Sequence, residues 1–370
     1  MNNHKANIKI LFIQTNYPDF LKLFHQKNNT EGKSYNEIKK LWAKEYFGSS
    51  NFYLKNLKNY GWSGDEIIAN DETIQNAWAK MHKINIQLPK SRIFSLIPAR
   101  IKNLLNLNYN FKKIIYKQVE FYKPDVIYIH DVTYFSKEEL KLLKKKTRLL
   151  VGQIAYPKPL NKSVFHEYDF IISSLPNYIR DFKKMGVKAE YLKWCFEDTI
   201  LKNIKGKKRK YEVTYIGGLS PLHSKGNAIL EDVSKKINVN LWGYGRPNIK
   251  QAWGKDMFKI FSESKIVINR HINISKNYAN NMRMFEATGM GALLITDKKV
   301  NNHEFFEIGR EIIVYKDSED LIKKIKYYLK NDSERIKIAK RGQTRTLKEH
   351  TYRIRMRELD KILRKYLDNL

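Results

Sequence analysis

The amino-acid sequence predicts an α/β protein of two parallel-sheet domains with helices at its carboxy-terminal end, and three observations carry that reading. Short β-branched or aliphatic runs alternate with longer stretches of helical spacing, the pattern of parallel strands joined by crossover helices. The alternation stops at the charged, period-less segment Lys202–Lys210 and restarts at Tyr211, which marks a linker. The chain has 370 residues, a length that suits two domains of roughly 100–200 residues each. The boundary falls near residue 200, with residues 1–200 in the first domain and 201–370 in the second.

In the first domain Ile8–Ile13 reads as a strand ending at the polar turn Gln14–Pro18. Tyr35–Phe47 and Asn51–Asn59 have helical spacing, the second stopped by Gly61. Glu66–Ala69 is a short strand and Glu72–Met81 a helix. Residues 84–100 hold Pro89 and Pro98 without a clean period and read as loop or insertion. Ile101–Tyr122 is a long amphipathic helix broken by Pro124, and Val126–Ile129 is a buried strand running into His130 and Asp131. Leu149–Ala155, Phe170–Ser173 and Val187–Leu192 complete the strands, with a helix over Pro176–Met185.

The second domain repeats the pattern. Strands are expected at Tyr211–Ile216, Val239–Trp242, Lys265–Asn269, Ala292–Thr296 and Ile312–Tyr315. Helices are expected at Lys225–Lys236, Lys255–Ser262 and Asn281–Thr288. Helices from Ser318, Ser333 and Thr351 follow, the last with Leu359, Ile362, Leu363, Tyr366 and Leu367 on one face.

Composition narrows the partners. Lys and Arg number 70 against 38 Asp and Glu, a formal net charge of +32, which suits nucleic acid, an anionic membrane surface or phosphate-bearing small molecules. Codon bias toward Lys, Asn, Ile and Tyr explains the excess equally well. Hydrophobic residues make up 42%, enough for packed cores, so a disordered polycation is excluded. The single cysteine, Cys195, excludes an intrachain disulfide and Cys-rich zinc modules, and fits a reduced compartment. The first apolar run is too short for a signal peptide, and no segment approaches a membrane span. A cytoplasmic protein is expected.

In open parallel sheets ligands bind beyond the carboxyl ends of the strands. Four such places stand out in the second domain. Gly217 and Gly218, with His223 and Lys225 shortly after, could bring backbone amides and a positive charge to a phosphate, or form a plain tight turn. Gly243-Tyr244-Gly245 follows a strand but lacks the spacing of a dinucleotide fingerprint. It leaves room for a flat base or ribose, or simply makes a turn. Arg270 ends a strand and points into the expected crevice, whereas the neighbouring His271 reads as a satisfied loop residue. The fourth place is Asn281–Asp297. Arg283 and Glu286 share one face of a short helix otherwise built of apolar and small residues, so two charges there need a ligand or each other. In the first domain Thr15, Asn16 and Tyr17 end the first strand, and His130 and Asp131 end a buried one.

The stretch Asn281–Asp297, with Arg283-x-Phe285-Glu286-Ala287 and Gly291–Asp297, followed by Ile312–Asp317 and the helix at Leu321, resembles the carboxy-terminal half of GT-B glycosyltransferases. More closely it resembles the bacterial group related to spore-maturation (CgeB-like) glycosyltransferases. Tyr215–Gly218 and Leu241–Gly245 fall where that group places two strand ends facing the donor, and Pro124–His130 resembles its amino-terminal crevice strand. The resemblance implies two Rossmann-like domains facing across a cleft, the first holding the acceptor and the second a nucleotide-sugar donor. It implies that Glu286 binds the donor ribose and Arg283 the diphosphate. The carboxylate usually found eight positions before that glutamate is Tyr278 here.

Glycosyl transfer leaves negative charge on a departing phosphate. With no Asp-x-Asp pair at a strand end, no metal is expected, and no cofactor beyond the nucleotide-sugar substrate. Arg283, Lys225 and Arg270 with the Gly217–Gly218 amides are the expected countercharges. Asp131 or His130 could accept the acceptor's proton if configuration inverts. Asp131 could instead serve only its own turn. The expected acceptor is a glycan or lipid-linked glycan, with the basic surface against an anionic inner-membrane face. Two other readings stay open: a basic nucleic-acid-binding protein, although no recognised binding module is present, and a sugar-nucleotide epimerase on the same fold.

Overall fold

The computed structural model describes residues 8–86, 109–155, 162–204, 208–219, 224–245, 248–279 and 281–370. The first sheet contains β1 (Ile8–Gln14), β2 (Trp62–Ile68), β3 (Val126–Ile129), β4 (Leu149–Gln153), β5 (Phe170–Ser173) and β6 (Ala189–Tyr191). All its pairings are parallel, in the order β2-β1-β3-β4-β5-β6. The second contains β7 (Tyr211–Gly218), β8 (Asn240–Tyr244), β9 (Ser264–Asn269), β10 (Leu293–Asp297) and β11 (Ile313–Tyr315). It too is parallel, in the order β11-β10-β9-β7-β8. Each sheet therefore reverses its winding beside its own first strand, at β1/β3 and at β7/β9. Such a reversal opens a crevice above the strand ends.

Strands that bury both faces read as continuous apolar runs, and β3 and β5 are buried at every position. Alternate residues serve opposite cores. Leu11, Ile13, Ile127 and Ile129 pack on one face of the first sheet, while Ile10, Phe12, Val126 and Tyr128 pack on the other. That second core continues without a break through Phe196 to Val267 and Leu294 of the second sheet and to Met284 and Phe285 of the helix Arg283–Gly289.

The helices of the first unit are α1 (Pro18–Asn28), α2 (Tyr35–Ala43), α3 (Phe52–Leu57), α4 (Glu72–Met81), α5 (Tyr109–Tyr122), α6 (Lys137–Lys144), α7 (Lys162–Phe165) and α8 (Pro176–Lys184). Then come α9 (Ile200–Asn203), α10 (Ser224–Ser234), α11 (Gly254–Ser262), α12 (Arg283–Gly289), α13 (Ser318–Lys330), α14 (Asp332–Glu349) and α15 (Tyr352–Leu367). Starts are set locally. Ser34 with Glu37 and Ser136 with Glu139 form capping boxes, and Asp71, Asp317 and Thr351 cap with their side chains.

The short helices α7 and α9 fall where the sequence marks none, and α1 and β2 depart from its expectation for identifiable reasons. Helix α1 follows a segment that reads as a polar turn: Pro18 occupies its first turn, where a missing N–H costs nothing, and Phe20, Leu21 and Phe24 are buried. Strand β2 starts at Trp62 rather than Glu66. Its early half is obscured by Gly64, at φ +138°, where any Cβ would overlap the Ile10 carbonyl oxygen. Most of the expected insertion at 84–100, and the first turns of the expected Ile101–Tyr122 helix, lie outside the described residues.

The chain passes between the two sheets twice, and the passages touch. Phe196 N–H donates to His350 O at 2.8 Å and Tyr352 N–H donates to Phe196 O at 3.0 Å. After the second passage α15 packs against α3 and the first sheet. There Trp62 Nε1 donates to Asp360 at 2.7 Å, and Phe170 stacks on Tyr366 with centroids 4.0 Å apart.

The carboxyl edges of the two sheets face each other. Tyr17, just past β1, lies 5.2 Å ring-to-ring from Tyr244 at the end of β8 and 5.5 Å from Trp253. Asn177, past β5, donates to the Ile274 carbonyl past β9 at 3.2 Å.

Candidate functional site

On the second sheet the glycines are set by close packing. A Cβ on Gly217 would sit 2.6 Å from the Tyr215 hydroxyl, and one on Gly243 would overlap the Gly217 carbonyl oxygen. Gly245 turns the chain at φ +90°. His223 lies outside the described residues, and of Lys225 the structure describes only its place in the first turn of α10.

Arg270 is 7% exposed. Its Nη2 donates to Gly218 O and to Asn227 Oδ1, both at 2.7 Å, and Asn227 in turn donates to Leu219 O at 3.0 Å. The guanidinium lies 5.2 Å from the Tyr215 ring. Arg270 thus shapes the chain leaving β7. Asn281 donates to Asn269 Oδ1 at 2.9 Å and to Arg270 O at 3.2 Å, and accepts from Met284 N–H at 3.3 Å, which anchors the start of α12 to the end of β9.

Arg283 and Glu286 pair at 2.7 Å. Glu286 is 6% exposed; burial raises its pKa and Arg283 opposes the rise. The guanidinium of Arg283 also lies 5.2 Å from the Phe261 ring and donates to Met257 Sδ. The helix expectation is therefore met by a largely buried internal pair.

His271, which reads in the sequence as a satisfied loop residue, is buried. Its Nδ1 lies 2.6 Å from Asp297 Oδ1, while its Nε2 is buried with no hydrogen-bond partner. Asp297 sits under opposing influences. Burial raises its pKa, but His271 and Lys299 outweigh burial and bring it down to about 2.

The first sheet's carboxyl edge is built differently. Thr15 Oγ1 donates to Asp131 Oδ2 at a long 3.5 Å. The other Asp131 oxygen accepts from the Thr133 N–H at 3.0 Å and hydroxyl at 2.7 Å, holding its own turn. Asn16 and Asn70 exchange hydrogen bonds at 2.9 and 2.7 Å, leaving Asn16 Nδ2 buried without a partner. His130 sits among Phe12, Tyr53 and Tyr128, with centroids 4.9–5.7 Å away. Burial pushes its pKa down to about 3, against a hydrogen bond with Gln153. The imidazole is neutral at ordinary pH. Tyr17, 49% exposed, completes this edge.

The structure thus brings Gly217, Gly218, Arg270, Asn281, Arg283 and Glu286 around one strand-end row. It brings Thr15, Asn16, Tyr17, His130 and Asp131 around the other. Tyr17 and Tyr244 meet between them. Trp253, Tyr53 and Gln153 join these rows without a sequence signal, because each is recognisable only from its long-range neighbours, whereas Asp297 ends the Gly291–Asp297 stretch already singled out. Among the described residues no group of three or more His, Cys, Asp or Glu could hold a metal ion, and no helix is long and apolar enough to cross a membrane.

Comparison with known proteins places this geometry. Residues 225–361 match a family model described as glycosyl transferase-like. No curated protein matches the sequence. Similar solved structures include HepE of Anabaena in complex with UDP and glucose, at 13% identity and TM-score 0.57, covering 97% of this chain and 100% of that one. A glycosyltransferase of Rickettsia africae is similar at 12% identity and TM-score 0.60, covering 99% and 100%. Sucrose-phosphate synthase of Thermosynechococcus elongatus is similar at 10% identity and TM-score 0.62, covering 98% and 100%. The chain has the GT-B fold, and its second unit carries a glycosyl transferase-like domain.

Proposed function

We propose that this chain is a glycosyltransferase that binds a nucleotide-sugar donor at the β7/β9 crevice and an acceptor at the β1/β3 crevice. One observation carries the reading. Within the glycosyl transferase-like region, Arg283 begins α12, paired with the buried Glu286 at 2.7 Å, and Asn281 ties that helix start to the strand end where Arg270 holds Gly218 O. A positive group held there meets the charge that develops on a departing diphosphate, and a fixed cation needs no reorganisation as the bond breaks. Lys225 adds charge at the start of α10. Arg270 contributes by shaping the loop rather than by an open guanidinium. Glu286 is the carboxylate for ribose hydroxyls, exchanging its bond to Arg283 for the ligand.

The acceptor sits against Thr15, Asn16 and Tyr17. In an inverting reaction the proton goes to Asp131, which stands at the end of β3 beside Thr15. His130 is too weak a base at a pKa of about 3 and contributes a contact instead. HepE was solved with UDP-glucose, which makes uridine diphosphate the first ligand to try. The acceptor class we favour is a glycan or lipid-linked glycan, reached from an anionic membrane surface by the basic exterior of a chain carrying +32. The test is a thermal-shift panel of nucleoside diphosphates. A ligand that binds only the folded state raises the melting temperature, so UDP, GDP, ADP or dTDP is expected to do so saturably, and no shift with any of them refutes the proposal. Binding that is instead confined to nucleic acid and collapses with salt would favour the rival reading.

A further inference from the structure

Asn269, Arg270 and His271 are consecutive, yet their bonds run to four different parts of the second unit. Arg270 reaches toward β7, holding Gly218 O and Asn227. Asn269 Oδ1 and Arg270 O receive Asn281, two residues before Arg283. Tyr315 of β11 donates its hydroxyl to Asn269 O at 3.2 Å. His271 reaches the other way, toward β10, where Asp297 accepts from its ring at 2.6 Å and from its backbone N–H at 3.1 and 3.2 Å. The tripeptide is a crossbar over the strand ends, with the His271 clamp reaching to one side and the loop-holding Arg270 to the other.

The chemistry of the clamp fixes the ring. Asp297 is ionised at ordinary pH and can only accept, so Nδ1 carries the hydrogen and Nε2 does not need one. A buried ring nitrogen without a partner costs stability. What the ring offers at that cost is the Nδ1 bond, which fixes the peptide next to Arg270.

We propose that His271 is a positioning residue of the donor site. Clamped to Asp297, it sets the end of β9, and through it holds the Gly218–Asn227 loop and the Asn281–Arg283 start of α12 in register with each other. Errors of about 1 Å in such a register cost on the order of 100-fold in rate. This rests on the donor-site reading above.

The full-length protein carries the test, with whichever of UDP-glucose, GDP-mannose or dTDP-glucose most raises the melting temperature of the unaltered chain. Three variants are compared: His271→Ala, His271→Asn and His271→Gln. An asparagine amide can donate to Asp297 from near the Nδ1 position, whereas a glutamine amide falls near Nε2. His271→Ala is expected to lower kcat on the order of 100-fold while donor KM moves less than about threefold, because register matters more to the transition state than to binding. His271→Asn restores most of the rate, and His271→Gln does not. Rescue by Gln but not Asn makes Nε2 the working atom and overturns the proposal. So does a rate unchanged in His271→Ala, or a loss of rate in all three variants that tracks their melting temperatures. If none of the three nucleotide sugars binds the unaltered chain, the donor-site reading falls first. If one binds and turns over but His271 is indifferent, only the positioning role falls.

Discussion

The two strand-end rows share one topology and almost nothing else. At the second sheet, charges are buried and locked to backbone or to each other: Arg270 to Gly218 O, Asp297 to the His271 N–H, Glu286 to the Arg283 guanidinium. At the first, the walls are aromatic, the histidine is neutral, and the carboxylate spends one oxygen on its own turn. A ligand with a fixed diphosphate rewards preorganised charge, since dipoles already in place cost nothing at the moment of reaction. A neutral, hydroxylated ligand rewards apolar walls with a few hydrogen-bonding groups. Under the proposed reading, the charged row suits the donor and the apolar row the acceptor.

Substitutions can break that contrast, and the largest effect is expected at the charged row. Arg283→Ala should lower turnover by about 1000-fold in a donor-saturated transfer assay while circular dichroism stays unchanged. Near-normal turnover would remove Arg283 from the mechanism. Asp131→Asn should lower kcat by on the order of 100-fold with donor affinity intact, placing the proton step on the first sheet. Full activity would reduce Asp131 to a turn residue.

Packing offers a subtler contrast. Gly243→Ala drives a methyl into the Gly217 carbonyl and should cost about 1–3 kcal/mol in urea unfolding, with weaker nucleotide binding. Gly152→Ala in β4 meets side chains, Val132 and Tyr168, which can adjust further than backbone can, and should cost less. An equal loss in both would mean that the β7–β8 approach is not special.

The smallest effect is in pH. His130 in the folded chain has a pKa near 3 against 6.5 for a free imidazole. Between those values the unfolded state binds the proton and the folded state does not, so stability rises with pH there and falls on acidification from about 6.5 toward 3. His350, brought down to about 4, acts in the same direction. The melting temperature should therefore drop below pH 6.5, less steeply in His130→Gln. An identical slope in the variant would shift the cause elsewhere.

Much of this architecture was legible in the residues because strands buried on both faces leave long apolar runs. Glu72–Met81, Val126–Ile129 and Phe170–Ser173 appear with the ends that the sequence marks. The short, apolar-rich helix around Arg283 and Glu286 announced a charged pair needing a partner. Helix α1 was hidden because a proline in a first turn looks, residue by residue, like the end of a turn. The contact of Tyr17 with Trp253, and the clamp of Asp297 on His271 from 26 residues away, follow from how sheets stack and wind, which local spacing does not encode.

The paired passages at Phe196 and His350–Tyr352 bear on how the molecule is made. A ribosome delivers the first sheet early, but the 16-residue α15, which covers Trp62 and stacks on Phe170, arrives only after the whole second sheet has emerged. The second unit is in effect a long loop closed within the first, and it can bury its own core while the first still waits for its last helix. Order of synthesis and order of completion therefore run opposite ways: the half begun first is finished last, and its exposed Trp62 and Phe170 surfaces are where a nascent chain would need shelter.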